Sequence, residues 1–241
     1  GHLDEFWPDV RDSGWFGGDA EGWERAPYWL DGFVPLAFVL DDERLKAKAH
    51  QRVGMILDRQ SPCGWLGPRE DDKSFDMWPH FLVDKMLLQY HDATGDERSF
   101  AAVEKNLRML HDYLPQTPLR NWGRYRWFEG LIAVYAVYER TGEPWLLDLA
   151  RVLHDQGFDW RTFYDGDAVT VPTPRRGMWR WDKHVVNMAL ALKGYPLWAR
   201  LTGDDGDRRF ASRMLEVLDR YHGQVTGIFS GDECLAGRLP T

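Results

Sequence analysis

The feature that most constrains the fold is an alternation between two kinds of apolar segment, separated by short glycine and acid marks. Before each mark the segment is apolar on nearly every side. After the mark the apolar residues lie three or four positions apart on one face. The marks are Thr94-Gly95-Asp96, Thr141-Gly142-Glu143 and Thr202-Gly203-Asp204, and Asp41-Asp42-Glu43 plays the same part earlier. Glycine after one helix and an acid at the start of the next predict a helical hairpin at each mark.

The two kinds of segment predict inner and outer helices. A helix that is apolar all round, as in residues 81–90 or 185–198, is expected to be buried, whereas a striped helix faces water on one side. Repeated inner and outer helices predict an all-α fold of the α/α toroid, or (α/α)6-barrel, type. The chain contains about four of the six hairpins of such a toroid. We therefore expect residues 1–241 to form a single catalytic-type domain that is the N-terminal portion of an incomplete toroid.

The long connections are expected at one rim, above the N-termini of the inner helices. They span roughly residues 58–78, 115–125 and 157–182 and continue from 222, and the N-terminal segment, residues 1–26, joins them. Long loops on a rigid scaffold are where function is usually carried. The rim collects these carboxylates and aromatic residues: Trp15, Asp19, Glu21, Trp23, Glu24, Trp65, Asp76, Trp78, Trp122, Trp179, Trp181, Asp182 and Glu233. Carboxylates and indoles in one concave end favour a carbohydrate site, although anchoring of loops to the core is the alternative for any single tryptophan.

Composition narrows the classes of partner. A formal net charge of -8 argues against a nucleic-acid partner, and no apolar run approaches the roughly 18 residues that span a bilayer. Cys63 and Cys234 lie too far apart for a disulfide framework or a zinc-finger spacing, so a reducing, cytoplasmic setting is the default expectation. The start of the chain lacks the features of a signal peptide, but Gly1-His2 is compatible with a tag remnant and a lost targeting segment stays open.

Glu233 is the leading candidate for chemistry. Glycosidic bonds are usually cleaved by a pair of carboxyl groups, and Glu233 lies in a loop between Gly231 and Gly237. Desolvation beside tryptophans would raise its pKa and favour a general-acid role. The alternative is an ordinary solvated loop acid, and Asp232 carries the same ambiguity.

Other candidates have weaker patterns. His184 is predicted at the start of an inner helix, where it binds a sugar hydroxyl or has a structural role; His80 and His222 have smaller claims to the rim. Asp19 and Glu21 accept from sugar hydroxyls or cap the first inner helix. Cys234 is a nucleophile or metal ligand, or simply a small semi-buried thiol. No second Cys or His stands at ligand spacing from either cysteine, so the chain shows no complete zinc site.

Four stretches together resemble the β-L-arabinofuranosidase-like glycoside hydrolases, family 127 and its relatives, a bacterial group long known as a domain of unknown function. They are GGDAEGWERAPYWLDG from Gly17, WDKHVVN from Trp181, the TGD-type hairpins and the FSGDE and LAG segments near the end. The similarity runs from about Leu3 to Gly237, and the ordered series of motifs makes it specific. It implies an α/α toroid catalytic domain that acts on glycosides.

The resemblance also implies roles for individual residues. Glu233 matches the proposed acid/base of the family's Gly-x-Glu loop, and His184 matches its histidine that opens an inner helix, with Asn187 at a variable place. Trp29-Leu30-Asp31 resembles the family's Trp-Leu-acid stretch near the sugar. Characterised members hold zinc through a Glu-x-Cys motif and a later cysteine pair, one of whose thiolates attacks the anomeric carbon. The chain ends at Thr241 before those positions, and Cys234 stands where relatives commonly have His, so it is not assigned the nucleophile's role.

These observations predict a retaining glycoside hydrolase that acts on a non-reducing-end sugar such as a β-L-arabinofuranoside. Glu233 is the expected acid/base, and the nucleophile and zinc ligands are expected downstream. The expected substrate-binding residues are His184, Asp19, Glu21, Trp23, Trp29, Asp31, Trp181 and Asp182. Alternatives are a sugar epimerase, which requires His184 and His80 to converge, an unsaturated-uronide hydrolase, or an inactive carbohydrate-binding protein. Exposed helix flanks of a partly open toroid would favour self-association.

Overall fold

The computed structural model describes residues 2–20, 22–68, 70, 72–173, 178–229 and 231–237, with the side chain of Asp232 left aside. The regular secondary structure of the described residues is helical apart from one small β-hairpin, which confirms the predicted all-α class. It divides into two compact units: residues 1–118 with 132–152, and residues 119–131 with 153–241. The single domain and the common rim for all loops stay predictions. No helix among the described residues has both the length and the apolar character that crossing a bilayer requires.

The first unit is built on two helical hairpins preceded by short helices. Its complete helices are α1 (Leu3–Phe6), α2 (Pro8–Arg11), α3 (Arg25–Val39), α4 (Glu43–Leu57), α5 (Trp78–Thr94) and α6 (Glu97–Tyr113). A 3-10 turn, Gly14–Phe16, follows α2. Helix α5 is buried along most of its length, whereas α4 and α6 bury single stripes such as Ala49 and Val53, as the patterns predicted.

Two helices contribute to both units. They are α8 (Phe128–Thr141) and α9 (Trp145–Gln156), joined at Gly142. Residues 128–131 and 153–156 belong to the second unit, and the remainder of each helix belongs to the first.

The second unit contains the remaining helices and the hairpin. They are α7 (Asn121–Tyr125), α10 (Trp160–Asp165), α11 (Val185–Ala191), α12 (Gly194–Thr202), α13 (Asp205–His222), β1 (Gly231–Asp232) and β2 (Cys234–Leu235), with 3-10 turns at Asp167–Thr170 and Trp181–Lys183. Strands β1 and β2 pair antiparallel.

The predicted marks do end one helix and begin the next. Gly95 and Gly203 follow α5 and α12 with φ of 70°, a left-handed conformation that glycine adopts without the steric cost of a Cβ. At the start of the next helices, the side chains of Asp42, Asp96 and Asp204 accept hydrogen bonds from backbone N–H groups. The hairpin boundaries are thus fixed by local chemistry.

One predicted inner helix is interrupted. The apolar segment from Val185 to Trp198 forms α11 and α12, separated at Leu192 and Lys193. Pro196 lacks an N–H, and its ring would clash with the carbonyl of Leu192 in a continuous helix. An apolar pattern records burial and not hydrogen bonding, so it did not reveal this break.

Candidate active site

Glu233 occupies the tip of the β1–β2 hairpin. Asp232 pairs with Cys234, which leaves Glu233 as the single residue that reverses the chain. Its φ is 62°, a left-handed conformation that non-glycine residues adopt at a steric cost. Strained backbone of this kind persists only where the surroundings hold it in place, and it concentrates at functional sites.

The hairpin is attached to the start of α11 by backbone contacts. Cys234 forms an antiparallel bridge with His184, and the N–H of Val185 donates to the carbonyl oxygen of Glu233 at 2.8 Å. Gly231 makes this close approach possible, because a Cβ there would lie 2.4 Å from both the Cys234 carbonyl oxygen and Val185 Cγ1. The main chain of Glu233 is therefore fixed beside His184.

The side chain of Glu233 is exposed. The sequence had suggested an apolar surround that would desolvate the carboxyl group, and no such surround encloses it in the described structure. Glu233 lies at the tip of the turn, between two residues that pair with each other. Its catalytic role stays a prediction.

His184 is the N-cap of α11. Its Nδ1 accepts from the backbone N–H of Asn187 at 3.3 Å, and only 7% of the residue is exposed. Burial, followed by the positive charge of Arg126, lowers the His184 pKa to about 4. The imidazole is therefore neutral near pH 7, and the bond to Nδ1 assigns its proton to Nε2.

Two tryptophans contact the imidazole, and a third packs against both of them. The ring centroids of Trp122 and Trp179 lie 5.1 Å and 4.8 Å from that of His184. Trp181 packs edge-on against Trp122 at 4.7 Å and lies nearly parallel to Tyr125 at 5.7 Å. We call Trp122, Trp179 and Trp181 the tryptophan cluster; Trp179 is 40% exposed, so the cluster reaches the surface with flat apolar area to offer a ligand.

Asp182 and Lys183, which separate Trp181 from His184 in the sequence, both make polar contacts within the protein. Arg180 Nε donates to Asp182 Oδ1 at 2.9 Å. Lys183 is buried, donates from Nζ to the carbonyl oxygen of Val171 at 2.6 Å, and has a pKa lowered mainly by desolvation. Asp182 would have to exchange a salt bridge for a sugar hydroxyl in order to bind one.

The other predicted binding residues lie in the first unit. Asp19 is exposed, and Trp23 accepts at its carbonyl oxygen from Trp15 Nε1 at 2.7 Å. Trp29 stacks on Phe33 with centroids 4.6 Å apart, and Asp31 forms a 2.9 Å salt bridge with Lys85. Glu21 lies outside the described residues. Their contact with a sugar stays a prediction.

The other predicted histidines are structural by their surroundings. His80 is wholly buried within the first unit, and Nε2 of His222 bonds to the Val169 carbonyl oxygen at 2.6 Å within the second. Cys63 is exposed and donates to Glu70 at 3.2 Å. Cys234 is buried, with Sγ 3.6 Å from the Arg180 carbonyl oxygen.

The described side chains do not form the zinc site that the resemblance implies. Structural and catalytic zinc sites take three or four Cys, His or carboxylate ligands at about 2 Å. Within the described ranges no three His, Cys, Asp or Glu side chains converge as metal ligands. Cys234 in particular faces a carbonyl oxygen, not a second thiol.

Two polar residues of this region had no individual signal in the sequence. Asn187 is fully buried and Arg126 is 3% exposed. In the sequence, Asn187 is marked only as the variable position of the motif that contains His184. Arg126 lies in a loop rich in arginine and aromatic residues, where nothing marks one arginine as buried.

Comparison with known proteins agrees with this architecture. The sequence profile described as beta-L-arabinofuranosidase, GH127 catalytic domain, matches residues 7–235. The structure is similar to that of Ara127N-Se, a GH127 beta-L-arabinofuranosidase from Geobacillus stearothermophilus T6, with a TM-score of 0.57 and 18% sequence identity.

The similarity covers 92% of this chain and 40% of that relative, so the chain spans less than half of the relative's length. No curated protein matches. At this identity the structural similarity establishes the fold, which confirms the predicted α/α toroid type. The profile covers nearly the whole chain, and the chain therefore belongs to the GH127 β-L-arabinofuranosidase catalytic-domain family of glycoside hydrolases.

Proposed function

We propose that the protein hydrolyses the glycosidic bond of a non-reducing-end sugar such as a β-L-arabinofuranoside, with retention, and that Glu233 is the general acid/base. The observation that carries the proposal is the attachment of the Glu233 turn to His184 beside the tryptophan cluster. An acid, a neutral hydrogen-bond donor and flat apolar faces are the groups that a pyranose or furanose glycoside requires.

In this proposal Glu233 protonates the leaving-group oxygen while a nucleophile outside the described residues forms a bond to the anomeric carbon, and it later removes a proton from the water that displaces this nucleophile. Its exposure suits a group that meets its substrate from solvent. The bound sugar would then displace water from the carboxyl group and favour its protonated form. None of the described residues is assigned the nucleophile's role.

His184 donates from Nε2 to a sugar hydroxyl in this scheme. A neutral imidazole suits that role, because it remains a donor at one nitrogen while Nδ1 stays engaged in the helix cap. Trp181 and its cluster neighbours offer surface for the sugar ring. Asp19, Glu21, Trp23, Trp29, Asp31 and Asp182 are the further substrate-binding residues of the proposal.

The test is hydrolysis of 4-nitrophenyl β-L-arabinofuranoside by the protein, by Glu233→Gln and by Glu216→Gln, an exposed acid on α13. We expect Glu233→Gln to lower kcat/KM by about 10²–10⁴ and the control to retain full activity. The anomer first released, followed by NMR, tests retention.

Two outcomes would contradict the proposal. Equal rates for Glu233→Gln and the unmodified protein would remove Glu233 from the acid/base role. Calorimetric binding of L-arabinose without hydrolysis, unchanged by Glu233→Gln, would support the carbohydrate-binding alternative.

A further inference from the structure

Asn187 connects three segments around His184. Its Oδ1 accepts from Arg126 Nε at 2.7 Å, just beyond α7. Its Nδ2 donates to the carbonyl oxygen of Trp181 at 2.9 Å, and its backbone N–H donates to His184 Nδ1 at 3.3 Å. One buried residue thus fixes the chain three positions before His184 and the helical turn that follows it.

Arg126 supports the same imidazole from the side. Its guanidinium carbon lies 4.3 Å from the ring of Trp122, whose centroid is 5.1 Å from that of His184. Its Nε is committed to Asn187. The buried guanidinium therefore holds both the tryptophan on one side of the imidazole and the amide that orders the N-terminus of α11.

The bond to Nδ1 has a consequence for the proton. A neutral imidazole has one donor and one acceptor nitrogen. With Nδ1 accepting from the Asn187 N–H, the proton resides on Nε2, and no described residue accepts a hydrogen bond from that atom. The donor is therefore left for a ligand.

We propose that Asn187 and Arg126 are positioning residues that hold His184 with Nδ1 as the cap acceptor and Nε2–H as the donor to a substrate hydroxyl. The inference rests on the proposed function, since it gives His184 its ligand class. The tautomer of His184 in the free protein is measurable without turnover.

The test is two-dimensional NMR of the protein labelled with ¹⁵N in its histidine side chains, between pH 4 and 8, with His184→Gln to assign the signal. We expect His184 to show a pyridine-type Nδ1 and a pyrrole-type Nε2, and to stay neutral above about pH 5 because its pKa is about 4. The charged and titratable groups on the described segments packed around it are Arg124, Tyr125, Arg126, Arg180, Asp182, Lys183, Glu233 and Cys234.

Variants separate geometry from charge. Arg126→Lys keeps the positive charge but loses the Nε–H bond to Asn187, so we expect mixed tautomers with a pKa that stays low. Arg126→Met removes both, and the His184 pKa should rise in part only, because burial, the larger cause of its lowering, remains. Asn187→Ala keeps the backbone N–H that donates to Nδ1 but loses the side-chain bonds to Arg126 and Trp181 that order this turn. We therefore expect mixed tautomers in this variant as well.

Arg124→Met and Val186→Ala are exposed neighbours on α7 and α11 and serve as controls that leave the spectrum unchanged. Near-UV circular dichroism monitors the fold of every variant.

The unmodified protein alone can overturn the inference. A proton on Nδ1 of His184, or an even tautomer mixture, contradicts it even if no variant folds. Folded Arg126→Lys and Asn187→Ala with unchanged His184 signals contradict it as well.

Activity then addresses the link to function. We expect kcat/KM for the arabinofuranoside to fall about tenfold in Arg126→Lys, through one weakened hydrogen bond. If His184 has the expected tautomer but the protein hydrolyses no glycoside, the positioning inference stands and only the proposed function is refuted.

Discussion

At the scale of single residues, Glu233 combines a strained backbone with an exposed carboxyl group. The left-handed φ of 62° suits glycine far better than glutamate. Nothing in the described contacts of the Glu233 side chain offsets that cost. A residue kept in an unfavourable conformation with no structural contact of its own is the expected signature of a functional group.

Replacing Glu233 with glycine separates the two properties. We expect Glu233→Gly to raise the free energy of unfolding by about 1 kcal/mol, because the left-handed conformation no longer costs a Cβ clash, and to abolish hydrolysis. Urea denaturation and the arabinofuranoside assay measure the two effects. Gly227, with φ of 81° and open space around it, supplies the opposite control, since Gly227→Ala should be destabilised by a similar amount.

At the scale of elements, α5 and α6 are joined by a buried polar chain. His80 Nδ1 donates to Asn106 Oδ1 at 2.9 Å, and Asn106 Nδ2 lies 2.9 Å from both oxygens of Asp84. All three residues are completely buried. Desolvation lowers the His80 pKa to about 4 and raises that of Asp84 well above its ordinary value. The pair of helices therefore packs best with both groups uncharged.

This burial predicts acid sensitivity through His80. The unfolded chain binds a proton on His80 below about pH 6.5, whereas the folded chain does not until about pH 4. The stability that a neutral His80 contributes is complete above pH 6.5 and is lost as the pH falls to about 4, by roughly 3 kcal/mol. In His80→Gln the free energy of unfolding should depend less steeply on pH in this window, because up to one proton fewer is taken up on unfolding. An unchanged slope would contradict the prediction, and His111→Gln, a partly exposed histidine on α6, is the control.

At the scale of the whole molecule, α3 exposes apolar residues on one side, whereas an inner helix is expected to be buried all round. Tyr28, Leu36, Val39 and Leu40 are exposed, and Val39 is 81% accessible. Gly32, between them, has open space around its Cα. An apolar stripe of this kind on a helix that is otherwise core-forming favours association with another apolar surface.

We expect the protein to self-associate through this stripe. Val39→Lys should shift sedimentation-velocity profiles toward the monomer, without lowering Tm, because the side chain makes little packing contact. Val225→Lys, at a fully exposed residue of the second unit, should leave the profile unchanged. A monomeric protein at all accessible concentrations, or equal effects of both variants, would contradict the prediction.

The sequence predicted those features that depend on neighbours along the chain. Helix ends at Gly95 and Gly203, capping aspartates and apolar stripes follow from local sterics and periodicity, and the four motifs indicated the family. The arrangement of Arg126, Asn187 and His184 and the attachment of the Glu233 turn to α11 follow from contacts between residues distant in sequence. The break before α12 has a local cause in Pro196, which the apolar pattern does not record.

The sequence by itself therefore determined the helical hairpins and the family, because backbone conformation and apolar periodicity are encoded within a few residues. Only the tertiary structure decided that His184 is buried beside Arg126, which keeps the imidazole neutral, and that the turn of Glu233 lies against the start of α11. Those properties depend on the burial and hydrogen-bond partners that folding brings from elsewhere in the chain.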